Sequence, residues 1–215
     1  MGRIFKSRRT NIKTKSMNEG VIKFRIEKWN KTPPLNETDY LEIEMYRKKL
    51  HDLKLIGVDK NTNLGYGNIS KLIDNNRFII SSTQTGHLEI LDGKNYCIVE
   101  STNFENNSLI CSGYSEPSSE AMTHSAFYKS NDKINCVIHI HNNKLWEKLI
   151  NENILSTPEN IEYGSKELYQ SITNLLKDKK YNEPFVVVIK GHKDGIFIAG
   201  NGLHETFSII LKLIK

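Results

Sequence analysis

Nowhere does the chain run to the ~18 apolar residues in succession that a membrane-spanning helix needs. The roughly 7–15-residue apolar stretch of a secretory signal is also missing behind the basic N-terminus. A myristoylation signal fails because Lys6 stands where Ser or Thr is required. Cysteine is scarce: Cys97, Cys111 and Cys136 are odd in number, widely spaced and form no Cys-x-x-Cys. That excludes a disulfide framework and a thiolate zinc site. A reducing cytoplasm is the simplest compartment for such a chain.

Acidic residues are absent from the first sixteen positions, "MGRIFKSRRTNIKTKS". Residues 1–30 hold nine Lys/Arg against Glu19 and Glu27, a local charge of +7. The other 185 residues hold 21 basic and 23 acidic side chains, a local −2, so the overall +5 belongs to the N-terminal arm and not to the body. Such an arm is either a solvated, flexible terminus or a phosphate-attracting tail. The near-neutral body gives no reason to expect nucleic-acid binding, apart from weak contacts by the arm. Residues 1–35 are therefore expected to be a flexible basic arm that closes at Pro33 and Pro34. Residues 36–215 are expected to be the folded domain. With 38% hydrophobic residues, the body can bury a sizeable core.

What the body does contain is an alternation of short strand and helix patterns. Leu41, Met45, Leu50 and Leu53 approximate a helical stripe, with Thr38 or Asp39 as N-cap and Gly57 as stop. Strands are expected at Gly67–Ser70, Phe78–Ser82, Tyr96–Glu100 and Ser108–Cys111. "PSSEAMTHSAFYKS" reads as a helix opening at Pro117 and Ser118. Then follow a strand "INCVIHIH", a short helix "KLWEKLI" and a helix capped by Ser165 with Leu168, Ile172, Leu175 and Leu176 on one face. The strands "PFVVVIK" and "GIFIAG" and a closing helix complete the chain. Strands flanked by amphipathic helices define a layered α/β domain.

His139 and His141 are the sharpest local signal. Residues i and i+2 of a strand share a face, so both imidazoles leave the sheet together. The pair alone fits either hydrogen-bonded strand-end histidines or metal ligation. His192 adds a third imidazole where another buried strand ends in a Gly-flanked turn, "VVVIKGHKDG". Three neutral imidazoles with an open fourth position suit a catalytic zinc. Glu120, near a helix start, is either a carboxylate placed by the helix dipole or a general base beside the metal. His124, four residues on, is either a supporting group or a satisfied core histidine. "GYGNIS", "TQTGH" and "PSSE" offer turn N–H groups and hydroxyls of the kind that bind anions.

In order, these motifs resemble the class II aldolase/adducin-type family. They are Gly67-Asn68-Ile69-Ser70, Thr85-Gly86, Ser118-Ser119-Glu120 with His124, His139-Ile140-His141 and Gly191-His192, with "YGSKEL" as a further likeness. The resemblance covers roughly residues 38–215. It implies a three-layer α/β/α sandwich on a mixed, mostly antiparallel central sheet. It implies Zn2+, or another divalent metal, on His139, His141 and His192, with Glu120 as the catalytic acid/base. It implies that Gly67, Asn68, Thr85, Gly86, Ser118 and Ser119 hold the phosphate of a sugar phosphate. Members of the family are commonly homotetramers with sites at subunit interfaces.

The expected function is a zinc-dependent aldolase-type lyase, which makes or breaks a carbon–carbon bond through a metal-stabilised enediolate. Where Glu120 stands, the related sugar-phosphate 4-epimerases carry Asp, which favours aldol chemistry here. An epimerase, dehydratase or decarboxylase on the same scaffold is the alternative, followed by a non-catalytic adducin-like module. Two departures from the family stand out. No tyrosine after the HxH pair maps onto the family's proton donor, and the loop "SSTQTGHLEIL" lacks the usual proline.

Overall fold

A computed structural model describes residues 21–74 and 76–215. Most of the basic stretch therefore lies outside the described residues. In chain order the elements are β1 (Arg25–Lys31), α1 (Glu37–Asp52), β2 (Gly57–Val58), β3 (Gly65–Tyr66), β4 (Asn68–Leu72) and β5 (Phe78–Ser81). They continue with β6 (Tyr96–Asn103), β7 (Ser108–Gly113), α2 (Ala121–Ser130), β8 (Cys136–His141) and α3 (Asn143–Asn151). The last are α4 (Lys166–Leu176), β9 (Phe185–Val188), β10 (Gly195–Gly200) and α5 (Leu203–Leu213). Eight strands form one sheet in the order β1-β7-β6-β5-β4-β8-β10-β9, while β2 and β3 pair separately. Among the described residues only β1 with β7 is parallel; every other pairing in the large sheet is antiparallel.

Strand alternation sorts the side chains into two cores. Phe78, Ile80, Val99, Val137, Phe197 and Ala199 face one side with Met122 and Phe127 of α2 and Leu168 and Ile172 of α4. Ile69, Ile79, Ile138, Ile140, Ile196 and Ile198 face the other with Ile43 and Leu50 of α1, Leu145 of α3 and Ile210 of α5. Helices thus cover both faces, which is the expected three-layer sandwich with a mixed, mostly antiparallel sheet. Among the described residues no helix is long and apolar enough to cross a membrane.

Three details differ from the sequence reading. The first is the arm. Arg25–Lys31 is an edge strand of the main sheet, inside the stretch expected to be flexible to residue 35. Phe24 is buried, and Ile22, Ile26 and Trp29 pack on the α2/α4 core, so the segment is held by apolar contact despite its basic composition. The Trp29 indole N–H also donates to Gly113 O at 3.0 Å. The second is the start of α2, which begins at Ala121 with Glu120 at the N-cap position.

The third is the face of α1. Leu41, Met45 and Leu53 are exposed, and the buried face is Tyr40, Ile43, Tyr46 and Leu50 with the charged pair Glu44 and Arg47. The helix also starts earlier than expected, with Asn36 at the N-cap, and ends at Asp52 with Leu53 as the C-cap. The reason is the charged pair. Arg47 grips Glu44 with two N–H groups at 2.7 and 3.0 Å and donates to Leu88 O at 2.8 Å and Glu89 O at 2.5 Å. Glu44 in turn accepts from Leu91 N–H at 3.0 Å and Tyr96 O–H at 2.6 Å. Burial, and then the Glu44 charge, hold the Tyr96 phenol well above its ordinary pKa, so it remains a donor. The network anchors the loop between β5 and β6, which carries Thr85 and Gly86. Removing one partner of a buried ion pair strands the other charge, at a cost of about 3–5 kcal/mol. Arg47→Met is therefore expected to lower the urea unfolding free energy by about that amount, and a change within experimental error would contradict the anchoring role.

Candidate metal centre

The alternation of β8 sends Val137, His139 and His141 to the α2 side of the sheet. Asn68 on β4 and Phe197 on β10 both stand opposite His139 in register, so the three share a row and a face. Phe197 stacks on the His139 ring at 4.2 Å between centroids and 17° between planes. His192 arrives from the turn between β9 and β10. Its N–H donates to Ile189 O at 3.1 Å, and Gly195 N–H donates back to His192 O at 3.0 Å. The end of β8 is tied to the same turn: Asn142 N–H donates to Asp194 O at 3.1 Å, and Asn143 Nδ2 to Asp194 Oδ1 at 2.8 Å.

The three imidazoles meet. His141 Nε2 lies 3.0 Å from His139 Nε2 and 3.0 Å from His192 Nε2. One ligand atom from each falls within 4.8 Å of the others. His139 and His192 are buried, and His141 is half-buried. The His139 Nδ1–H donates to Ile196 O at 3.2 Å, because a carbonyl only accepts. A neutral ring then carries a bare Nε2. Burial, reinforced by the neighbouring His141 and His192, holds the His139 pKa well below its ordinary value, which keeps the ring neutral.

Glu120 completes the group. Its side chain makes no helix-capping bond, and Oε2 lies 3.1 Å from His139 Nε2. Asn68 Nδ2 donates to the same oxygen at 2.8 Å. The bare His139 Nε2 thus faces a carboxylate oxygen that also only accepts, and a second imidazole nitrogen. Neutral rings cannot satisfy these contacts together; a divalent cation among the nitrogens does. The donor set fits a divalent metal of the kind imidazole favours.

The predicted anion-binding residues gather at the same place. Gly67, Asn68, Thr85, Gly86, Ser118, Ser119 and Glu120 line one cavity with His192. Gly67 sits at φ +75°, and a Cβ there would come 2.8 Å from the Ile56 side chain and 3.0 Å from His139 O, so only glycine fits. Ser118 Oγ accepts from Glu120 N–H at 3.3 Å, and Ser118 N–H donates to Ser81 O at 3.1 Å, which fixes the approach to α2. The Thr85 hydroxyl donates to Ser82 O at 2.9 Å within its own turn.

Tyr66, Gln84 and Tyr163, which the sequence reading quoted within motifs without a role of their own, also line the cavity. Tyr66 packs on the His141 ring at 5.2 Å, and Tyr163 on the His192 ring at 5.1 Å. Gln84 accepts from Gly65 N–H through Oε1 at 3.2 Å and stands at φ +57°. Proline, fixed near φ of about −65°, cannot take that conformation. His124 is fully buried and hydrogen-bonded, as the reading of a satisfied core histidine expects.

Against this geometry the comparisons are specific about the family. The profile described as Class II Aldolase and Adducin N-terminal domain matches residues 54–214, and the chain belongs to that family. A comparison with curated sequences finds no match. Among solved structures, an L-fuculose 1-phosphate aldolase aligns with a TM-score of 0.62 at 21% identity, over 84% of this chain and 84% of that one. A sugar-phosphate aldolase from Thermotoga maritima aligns at 0.60 and 18% identity, over 82% and 90%. YgbL from Klebsiella pneumoniae, titled a putative aldolase/epimerase/decarboxylase, aligns at 0.60 and 16% identity, over 82% and 85%. At these identities the likeness concerns the fold.

Two predictions follow from the site itself. A Cβ at Gly195 would fall 2.3 Å from the His192 ring and 3.2 Å from that of His139. Gly195→Ala is therefore expected to weaken Zn2+ affinity by about 10- to 100-fold, measured by competition with a chelating dye; native affinity would show that the ring placement is wrong. The second concerns pH. Burial pushes the His124 pKa down to about 3, against 6.5 when unfolded. Between those values the unfolded chain binds the extra proton, so this contribution to stability is complete above about pH 6.5 and shrinks as pH falls. His124 alone should remove roughly 2 kcal/mol of stability between pH 7.5 and pH 5. His124→Gln should lose correspondingly less over that interval in urea unfolding; an unchanged slope would contradict the assignment.

Proposed function

We propose that this chain is a metal-dependent lyase of the aldolase type, which cleaves or forms a carbon–carbon bond in a small, phosphorylated sugar or related hydroxy-carbonyl compound. The observation that carries this reading is the Glu120 carboxylate 3.1 Å from His139 Nε2, at a cavity lined by hydroxyls and turn backbone. His139, His141 and His192 would hold the metal, with Zn2+ the ion best suited and cobalt, nickel or manganese admitted by the same donors. When bound, such an ion supplies Lewis acidity to neighbouring carbonyl and hydroxyl oxygens.

The rest of the chemistry falls to the protein. Glu120 moves a proton at the carbon next to the carbonyl, and its place in the cavity fits that task. Gly67, Asn68, Thr85, Gly86, Ser118 and Ser119 orient the substrate by binding its phosphate through N–H and O–H groups. The Asn68 amide has two N–H groups, of which Glu120 takes one, so the other is available to a substrate. The reading includes a homotetramer, for which Leu41, Met45 and Ile90 supply exposed apolar surface. The free, buried thiols of Cys97, Cys111 and Cys136 fit a reducing cytoplasm.

The test is product analysis on a panel of ketose 1-phosphates with the zinc-loaded protein. An aldehyde plus a three-carbon phosphorylated fragment is the expected result, whereas an isomeric sugar phosphate would assign the scaffold to epimerisation. Glu120→Gln is expected to keep its zinc and lose about 10²–10⁴-fold in kcat. Undiminished turnover in that variant would remove Glu120 from the chemistry.

A further inference from the structure

One line of hydrogen bonds runs away from Glu120 into the core, and the donor and acceptor roles along it have one solution. Asn68 Nδ2 donates to Glu120 Oε2 at 2.8 Å, so Asn68 Oδ1 is the atom turned to His124. That oxygen only accepts, and His124 Nε2 lies 2.5 Å away; the proton is on Nε2. A neutral imidazole then has a bare Nδ1. Ser70 Oγ, 2.7 Å from it, must donate. The Ser70 oxygen is left to accept, and the Tyr128 hydroxyl at 2.6 Å donates to it. Each of these four contacts then has one donor and one acceptor.

The surroundings enforce this solution. His124 is wholly buried on α2, with its edge against the Phe197 ring at 5.5 Å and 74°. A buried imidazole with these neighbours stays neutral, in keeping with its depressed pKa. Asn68 is fixed at the other end, because its backbone pairs with His139. Were the Asn68 amide turned over, its carbonyl oxygen would face the Glu120 carboxylate, and two acceptors would repel. Asn68 carries no titrating proton, so the line positions groups and does not conduct protons between them.

We propose that His124 is a positioning residue: held as the Nε2–H tautomer by Ser70 and Tyr128, it fixes the Asn68 amide and, through it, the orientation of the Glu120 carboxylate. This rests on the reading of Glu120 as the acid/base, but its structural half can be tested without turnover. ¹⁵N NMR of the histidine side chains in the zinc-loaded full chain reads the tautomer directly. The expected result is a protonated Nε2 and a bare Nδ1 at His124 across about pH 6 to 8; a protonated Nδ1, or a mixture of the two, overturns the proposal.

The kinetic arm compares His124→Leu with His124→Gln, whose amide can still donate to Asn68 Oδ1. On a ketose 1-phosphate, the Leu variant is expected to lose about 10- to 100-fold in kcat, with zinc content native and the Asn68 side-chain amide resonance displaced. The Gln variant is expected to restore most of the rate. Native kcat and an undisturbed Asn68 resonance in His124→Leu would overturn the proposal. Should that variant fail to fold, Ser70→Ala serves: with Nδ1 deprived of its donor, the Asn68 side-chain amide resonance is expected to shift and kcat to fall, and an undisturbed Asn68 resonance with native kcat contradicts it. If the native chain cleaves none of the substrates while the tautomer and the Asn68 displacement are as expected, the positioning stands and the aldolase reading falls.

Discussion

The site depends on one constraint, the register of β4 and β10 against β8. A strand alternates its side chains with a period of two, and a slip of one residue would turn His139 and His141 into the apolar core on the opposite face. The neighbours are set by the same pairing. Asn68 and Phe197 stand opposite His139. One supplies the bond to Glu120 and the other the face on which the imidazole stacks. The register is strongly specified, because Val137, Ile138 and Ile140 bury against cores on both sides of the sheet.

Around that row the fold concentrates polar groups in places where they are costly unless paired. Glu44 with Arg47, and Ser70 with His124 and Tyr128, are buried networks of the kind whose members depend on each other. The first holds the loop that brings Thr85 and Gly86 to the cavity, and the second reaches Glu120 through Asn68. Positioning in this protein therefore comes from buried hydrogen bonds behind the site as much as from the residues that line it.

Much of the site was legible in the sequence because strand patterns carry direction. The β-branched run before His139 announces a buried strand, and the period of two then places both imidazoles on one side. His192 was legible for the same reason, at the end of another apolar run. The ordered motifs brought in Gly67, Asn68, Thr85, Gly86, Ser118, Ser119 and Glu120, and the fold gathers them at one cavity. The roles assigned to them remain those proposed above. Other features could not be read, because they depend on long-range partners. The α1 stripe misled, since a helix that buries an Arg–Glu pair places charges where a periodic reading looks for leucines. Arg25–Lys31 reads as a basic tail until its apolar residues find the edge of β7. Tyr128 acquires meaning only when Ser70, 58 positions away in sequence, lies beside it.

The central claim is that three imidazoles from separated parts of the chain grip one divalent ion beside a carboxylate. X-ray absorption at the zinc edge, on protein purified without chelator, tests it most directly. The account predicts about one zinc per chain with three imidazole nitrogens at about 2.0–2.1 Å and the remaining scatterers oxygen. A chain that holds no zinc, or a zinc whose spectrum lacks imidazole, would contradict it.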